Sequence, residues 1–209
     1  LDAGPGFGGS CFKKDILNLV YLAEYYGLDE VAKFWEGVVK LNNWHQHRIS
    51  NLVSKKLFGT VSGKKICILG FSFKANTNDT RESSAITICK DLIEEGSYLQ
   101  IHDPKVNQIQ IEKDLGEKAI RDFNNIDNID KNNSKGFWCK ANDIYSACIN
   151  VDAIILLTEW PEYANINWQL ISKRVRHPTW VFDARLIVNE NEVINAGLNL
   201  WKIGCGLNN

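Results

Sequence analysis

Cys11 ends a glycine-rich turn and begins an apolar-periodic stretch, within GPGFGGSCFKKD from Gly4 to Asp15. Gly6, Gly8 and Gly9 let the backbone pass close to a ligand without Cβ interference. Phe12, Ile16, Leu17, Leu19 and Val20 follow at helical spacing, which places Cys11 at the positive end of a helix, where a thiolate is favoured. Lys13 and Lys14 add cationic charge within one turn, and Asp15 supplies a carboxylate. A nucleophile, cations and a base thus occupy five consecutive positions, the inventory of covalent catalysis at a carbonyl. The plainer alternatives are a small residue packed under a turn for Cys11 and a helix-dipole partner for Asp15.

A second concentration of charge lies in GFSFKANTNDTRESS, Gly70 to Ser84, where Lys74 and Arg81 stand between an apolar run and a helix start. In open α/β sheets ligands bind at that edge, so a phosphate-bearing ligand would meet the helix N-terminus and two cations. A solvated loop with a capping pair explains the same residues equally well. Gly4, Gly6 and Gly9 satisfy GxGxxG, but two successive helices follow them instead of the strand and ribose-binding acid that the dinucleotide fingerprint requires. Asp103 stands where such an acid could reach a ribose, although Asp103-Pro104 reads more simply as a turn. His45 and His47 are two apart on a helix and face different ways, so no metal site is expected.

These groups need elements to hold them. Helices are expected over residues 12–26, stopped by Gly27, and over 29–58, capped by Asp29. The second carries Val31, Phe34, Trp35, Val38, Leu41, His45, Arg48, Ile49, Leu52 and Val53 at three- and four-residue spacing. Such a face must pack on a missing part of the chain, on a second subunit or on the following domain. GTVSGKK, Gly59 to Lys65, reads as a linker between residues 1–58 and an α/β domain over 66–209. In that domain, short strands are expected at 66–69, 98–102, 137–139, 153–157, 180–183 and 200–203. Helices are expected from an Asp79/Glu82 capping box to before Gly96, and near 143–147, 168–174 and 191–196. Residues 105–135, including NNIDNIDKNNS, read as a surface excursion with one short helix and no chemistry. The fold class is α/β: a two-helix segment, then a doubly wound parallel sheet of Rossmann-like type.

Composition excludes several functions. The net charge of -1 leaves no footprint for nucleic acid or an anionic membrane, so an anionic ligand must be held by a local cluster. No apolar run approaches the ~20 residues of a bilayer span. Six cysteines without a CxxC pair argue for free thiols in a reducing compartment, which points to the cytoplasm. Apart from Cys11 they lie in apolar or strand-like settings and read as small buried hydrophobes. The chain has no methionine and opens directly into the glycine turn, so it reads as a fragment.

GFGGSCFKKD from Gly6, GFSFKANTNDTRESS from Gly70, HDPK from His102, LTEW from Leu157 and FDAR from Phe182 together resemble the nucleotide-sugar dehydrogenases of the UDP-glucose/GDP-mannose dehydrogenase family, in the same order and at similar spacing. The likeness covers almost the whole chain. It implies oxidation of a sugar C6 alcohol to a carboxylate, with UDP-glucose favoured by TRESS and LTEW and with GDP-mannose or UDP-N-acetylmannosamine as alternatives. Cys11 would capture the aldehyde as a thiohemiacetal, which hydride loss to NAD converts to a thioester; a second NAD accepts the hydride from the alcohol step. Lys14 would stabilise the oxyanion and Asp15 would orient or deprotonate the hydrolytic water. By the same resemblance Lys74 and Arg185 contact the UDP-sugar, Arg81 contacts the cofactor, and Gly8, Phe12 and Phe73 shape the pocket wall. The 29–58 helix corresponds to the family's dimer interface, so a homodimer or larger homo-oligomer is implied, while the family's N-terminal NAD-binding domain is expected outside this chain. A nucleotide-binding or assembly module without chemistry is the competing class.

Overall fold

The computed structural model describes residues 3–120 and 135–205. Two helices come first, α1 (Phe12–Tyr25) and α2 (Asp29–Lys56). They pack on each other through residues that include Ile16 and Ala23 of α1 and Ala32 and Val39 of α2. The apolar stripe of α2 divides along its length. Ile49, Leu52 and Val53 join Leu57 and Val61 in the core of the following sheet, whereas Val31, Phe34 and Leu41 lie exposed. Of the three partners open to that face, the following domain is the one its C-terminal half meets. The polar segment after α2 packs as well, with Val61 fully buried and the Gly63 N–H donating to the Gly96 carbonyl at 2.9 Å.

Six strands follow: β1 (Lys65–Leu69), β2 (Tyr98–His102), β3 (Phe137–Lys140), β4 (Ala153–Leu156), β5 (Trp180–Asp183) and β6 (Asn199–Lys202). All pairings are parallel and the order is β3-β2-β1-β4-β5-β6. The pleat sends alternate residues to opposite faces. Ile66 and Ile68 of β1 enter one core with α3 (Ser84–Glu94) and α4 (Gln108–Leu115), while Cys67 and Leu69 enter another, beneath α5 (Ile144–Ala147), α6 (Pro161–Ala164), α7 (Trp168–Ser172) and α8 (Glu190–Asn195). Both faces of the sheet are therefore covered, as a parallel sheet requires. The chain is an α/β protein with a Rossmann-like doubly wound sheet. Its strand order reverses between β1 and β4, which opens a crevice at their C-terminal ends.

Three expectations are corrected. Asp29 does not cap α2: it is the first helical residue, and Leu28 is the N-cap, with no side-chain capping bond. Asp79 and Glu82 do not form the capping box: Ser83 is the N-cap of α3, its hydroxyl accepting from the Ala85 N–H and donating to the Phe71 carbonyl at 2.8 Å. Glu82 instead takes a left-handed φ of 53° in the turn before the helix. Cys139 and Cys205 are only half-buried, because the sheet covers them less fully than Cys67, Cys89 and Cys148. The short helix α6 was not anticipated; Pro161 at its first turn is its sequence signal. Of the excursion at 105–135, α4 is the helix expected, and NNIDNIDKNNS lies outside the described residues. Among the described residues no helix is long and apolar enough to cross a membrane.

Candidate active site

The cysteine loop is sewn to two elements distant in sequence. Asn42 of α2 accepts from the Phe7 N–H at 2.8 Å and donates to the Phe7 carbonyl at 3.1 Å, and His45 Nε2 lies 3.1 Å from the Gly4 carbonyl oxygen. On the other side the Gly9 N–H donates to the Arg81 carbonyl at 2.8 Å, and Lys13 pairs with Glu82 at 2.7 Å. Gly8 is glycine for a steric reason: a Cβ there would collide with the Glu82 carbonyl oxygen and crowd Phe73. The loop therefore lies flat against the turn between β1 and α3. Cys11 is the N-cap of α1 and is exposed, with no side-chain capping bond and with Ser10 Oγ 3.5 Å from its sulfur. Lys14 and Asp15, in the first turn of α1, are also exposed.

The β1–α3 turn is braced from below. Asp103, at the end of β2, is 3% exposed; one carboxylate oxygen accepts from the Phe71 and Ser72 N–H groups, the Ser72 hydroxyl and the Trp160 indole, and the other from the Lys105 and Val106 N–H groups. Burial alone would raise its pKa, but the four backbone N–H bonds outweigh it and hold the carboxyl below its ordinary value. Both oxygens are thus committed to the protein, which favours the turn explanation over a ribose contact. Asp79 accepts Arg81 through Nε and Nη2, and this pairing holds the Asp79 carboxyl below its usual range. Arg81 is exposed and paired with Asp79 in the turn, as the solvated-loop explanation expects, although no helix cap is involved.

Lys74 turns the other way, into a cavity of about 680 Å³ at the crevice of the sheet. Gly8, Phe12, Phe73, Lys74 and Arg185 all line it, so five residues singled out from three separate motifs meet on one wall. Arg185 is aimed by its neighbours: Nε donates to the Leu157 carbonyl at 2.8 Å, Nη2 to the Phe73 carbonyl at 3.2 Å, and Glu159 lies 3.4 Å away. Cys11, Lys14, Asp15 and Arg81 are not among the lining residues; Cys11 adjoins the cavity through its neighbour Phe12. The opposite wall holds Asn42, Trp44 and His45 of α2, and Glu159 completes the polar side. Sequence reasoning missed these. Asn42 had one available signal, an amide on the helix face that also carries Gln46 and Ser50 at four-residue intervals.

The Phe7 and Gly9 amides are taken by Asn42 and Arg81, and the Phe71, Ser72 and Phe73 amides by Asp103 and Asp79. His45 and His47 have separate partners, the Gly4 carbonyl and Asp91, and no group of three or more metal-ligating side chains occurs among the described residues.

An open parallel sheet of this order, with a cavity at its switch point, defines a doubly wound α/β class whose ligands bind at that crevice. Comparison with known proteins narrows that class. Residues 67–190 match the model of the UDP-glucose/GDP-mannose dehydrogenase family, UDP binding domain, and residues 1–44 match the central domain of the same family. UDP-glucose 6-dehydrogenase of Caenorhabditis elegans is 41% identical over 205 residues, which is 98% of this chain and 40% of that protein. UDP-glucose 6-dehydrogenase 4 of Arabidopsis thaliana is 40% identical, with 98% and 43% covered. A UDP-glucose dehydrogenase structure from Pyrobaculum islandicum shares the fold, with a TM-score of 0.71 at 24% identity over 98% of this chain and 38% of that one. The chain belongs to the UDP-glucose/GDP-mannose dehydrogenase family, and it spans 40% to 43% of the length of these two curated relatives.

Proposed function

We propose that this chain is the substrate-binding and thiol-bearing portion of an NAD-dependent UDP-glucose 6-dehydrogenase, which oxidises UDP-glucose to UDP-glucuronate. The observation that carries the proposal is the fastening of the Cys11 loop to the β1–α3 turn, beside a cavity whose wall combines Lys74 and Arg185 with Phe12 and Phe73. Two cations suit a diphosphate, and the aromatic groups suit a base or sugar face. The resemblance to UDP-glucose 6-dehydrogenases and to the family's UDP binding domain over residues 67–190 supports it. In this division residues 1–58 carry the cysteine loop and the central helices, 59–65 connect them, and 66–209 bind the UDP-sugar.

Cys11 attacks the C6 aldehyde carbon as a thiolate, and the carbonyl oxygen becomes the thiohemiacetal oxygen. Lys14 offers positive charge to that oxygen, and Asp15 takes the proton of the water that later hydrolyses the thioester and frees the thiol. NAD, when bound, would accept hydride twice, once from the C6 alcohol to give the aldehyde and once from the thiohemiacetal carbon to give the thioester. Arg81 is its proposed contact among the described residues.

The exposed face of α1 and α2, with Tyr21, Tyr25 and Phe34, is the proposed contact with a second copy in a cytoplasmic homodimer or larger assembly. Sedimentation of the chain as a monomer at micromolar concentration would count against that contact.

UDP-glucose at about 100 times its Kd is expected to stabilise the chain by about 2.7 kcal/mol, raising Tm by about 5–10 °C. NAD is expected to raise it less. An equal or larger shift with NAD contradicts the assignment of the cavity, and a larger shift with GDP-mannose or UDP-N-acetylmannosamine changes the substrate.

A further inference from the structure

Midway along α2 three polar side chains are buried at four-residue spacing: Asn42, Gln46 and Ser50, at 8%, 7% and 2% exposure. Buried amides and hydroxyls are costly unless bonded, and each of these is bonded to a different site. Gln46 accepts from the Thr87 hydroxyl and Ser50 donates to Asp91, so these two fasten α2 to α3. Asn42 alone turns to the cysteine loop, where it matches both the N–H and the carbonyl of Phe7. Two bonds to one residue, one accepted and one donated by the amide, fix its rotation as well as its place. Gly6 is shaped to this contact, since its φ is +132° and a Cβ would fall 2.9 Å from Asn42 Oδ1 and 3.1 Å from Gln46 Cγ. The ring of Phe7, so held, meets Phe12 edge-to-face at 4.7 Å, and Phe12 adjoins Cys11 while lining the cavity.

From this chain of contacts, and resting on the function proposed above, we infer that Asn42 is a positioning residue for the reaction: through Phe7 and Phe12 it sets where the Cys11 thiol stands relative to the bound sugar. It touches no reacting atom. Together with the His45–Gly4 contact it fixes the loop upstream, as the Gly9–Arg81 bond does laterally, and α1 holds the downstream end.

The test is site-resolved alkylation of the 209-residue chain by iodoacetamide across pH, with and without UDP-glucose, read by mass spectrometry at Cys11. In the wild type, UDP-glucose is expected to slow modification of Cys11. Asn42→Ala, and independently Gly6→Ala, are expected to reduce that protection by about tenfold and to shift the pH profile, because an error of about 1 Å in a reacting group is worth up to 100-fold in rate. Ser50→Ala, on the same buried line, is expected to lower Tm with protection and pH profile intact. If Asn42→Ala does not fold, Asn42→Asp, which keeps the acceptor for the Phe7 N–H and loses the donor to its carbonyl, is expected to fall between. Wild-type protection and profile in the folded Asn42 variants would overturn the inference and leave Asn42 purely structural. Absence of protection in the wild type would overturn the functional proposal itself, and this inference with it.

Discussion

Replacing Cys11 with alanine is expected to lower kcat of the dehydrogenase proposed above by about 10⁴-fold or more, a loss on the scale of removing a covalent nucleophile. The same substitution should leave the fold almost untouched. Cys11 is exposed at the start of α1 and makes no capping bond, so alanine there changes stability by less than about 1 kcal/mol. Nor is its side chain part of the cavity wall formed by Phe12, Phe73, Lys74 and Arg185, so the thermal shift with UDP-glucose should persist. Steady-state kinetics and thermal denaturation together separate the roles: lost turnover with retained ligand stabilisation marks chemistry. A Cys11→Ala enzyme within tenfold of wild type would remove the thiol from the mechanism.

The largest effect on stability is expected at Asp103. Its carboxylate joins the start of the β1–α3 turn, the segment after β2 and the Trp160 indole, and four of its partners are backbone N–H groups. Asp103→Ala strands those donors in a buried place and should cost about 3–5 kcal/mol. Asparagine is a poor substitute, because each oxygen accepts from at least two N–H groups and one of them would face an NH₂ instead. The pH dependence follows in sign. The folded pKa lies below the unfolded value of about 3.9, so the stabilisation is complete above that value and is lost as pH falls through the folded pKa. Chemical denaturation at pH 7 and in the acid range should show the wild type losing stability below about pH 4, with Asp103→Asn lacking this component. A cost under about 1 kcal/mol at pH 7 would mean that the turn holds without its brace.

Much of the fold was legible before any contact was known. Tyr98–His102 and Trp180–Asp183 are strands with the bounds read from residue type, because apolar runs closed by polar residues leave a buried parallel strand few other places to end. The start of α3 was not legible. Asp79 and Glu82 match the capping pattern, yet Glu82 is turned to a left-handed φ where its carbonyl packs under Gly8 and its carboxylate meets Lys13, a contact across 69 residues of sequence. No local propensity reports such a contact.

The same division runs through the candidate site. Cys11, Lys14 and Asp15 declared themselves because glycines, helix start and charges are neighbours in sequence, and a local pattern is what a sequence writes openly. Lys74 and Arg81 were legible as cations, but their parting was not. Lys74 lines the cavity while Arg81 is turned away by Asp79, and two residues seven apart in a turn take opposite faces only once the turn is closed. Asn42 and Glu159 stayed hidden because their partners, Phe7 and Ala75, lie 35 and 84 residues away. Residue types and spacing determined the family, the strands and the thiol-bearing loop, since each depends on neighbours along the chain. Which side chains face one cavity, and what holds the cysteine beside it, was decided by packing of α2, the loop and the β1–α3 turn, since hydrogen bonds between distant segments exist only when the folded core brings them together.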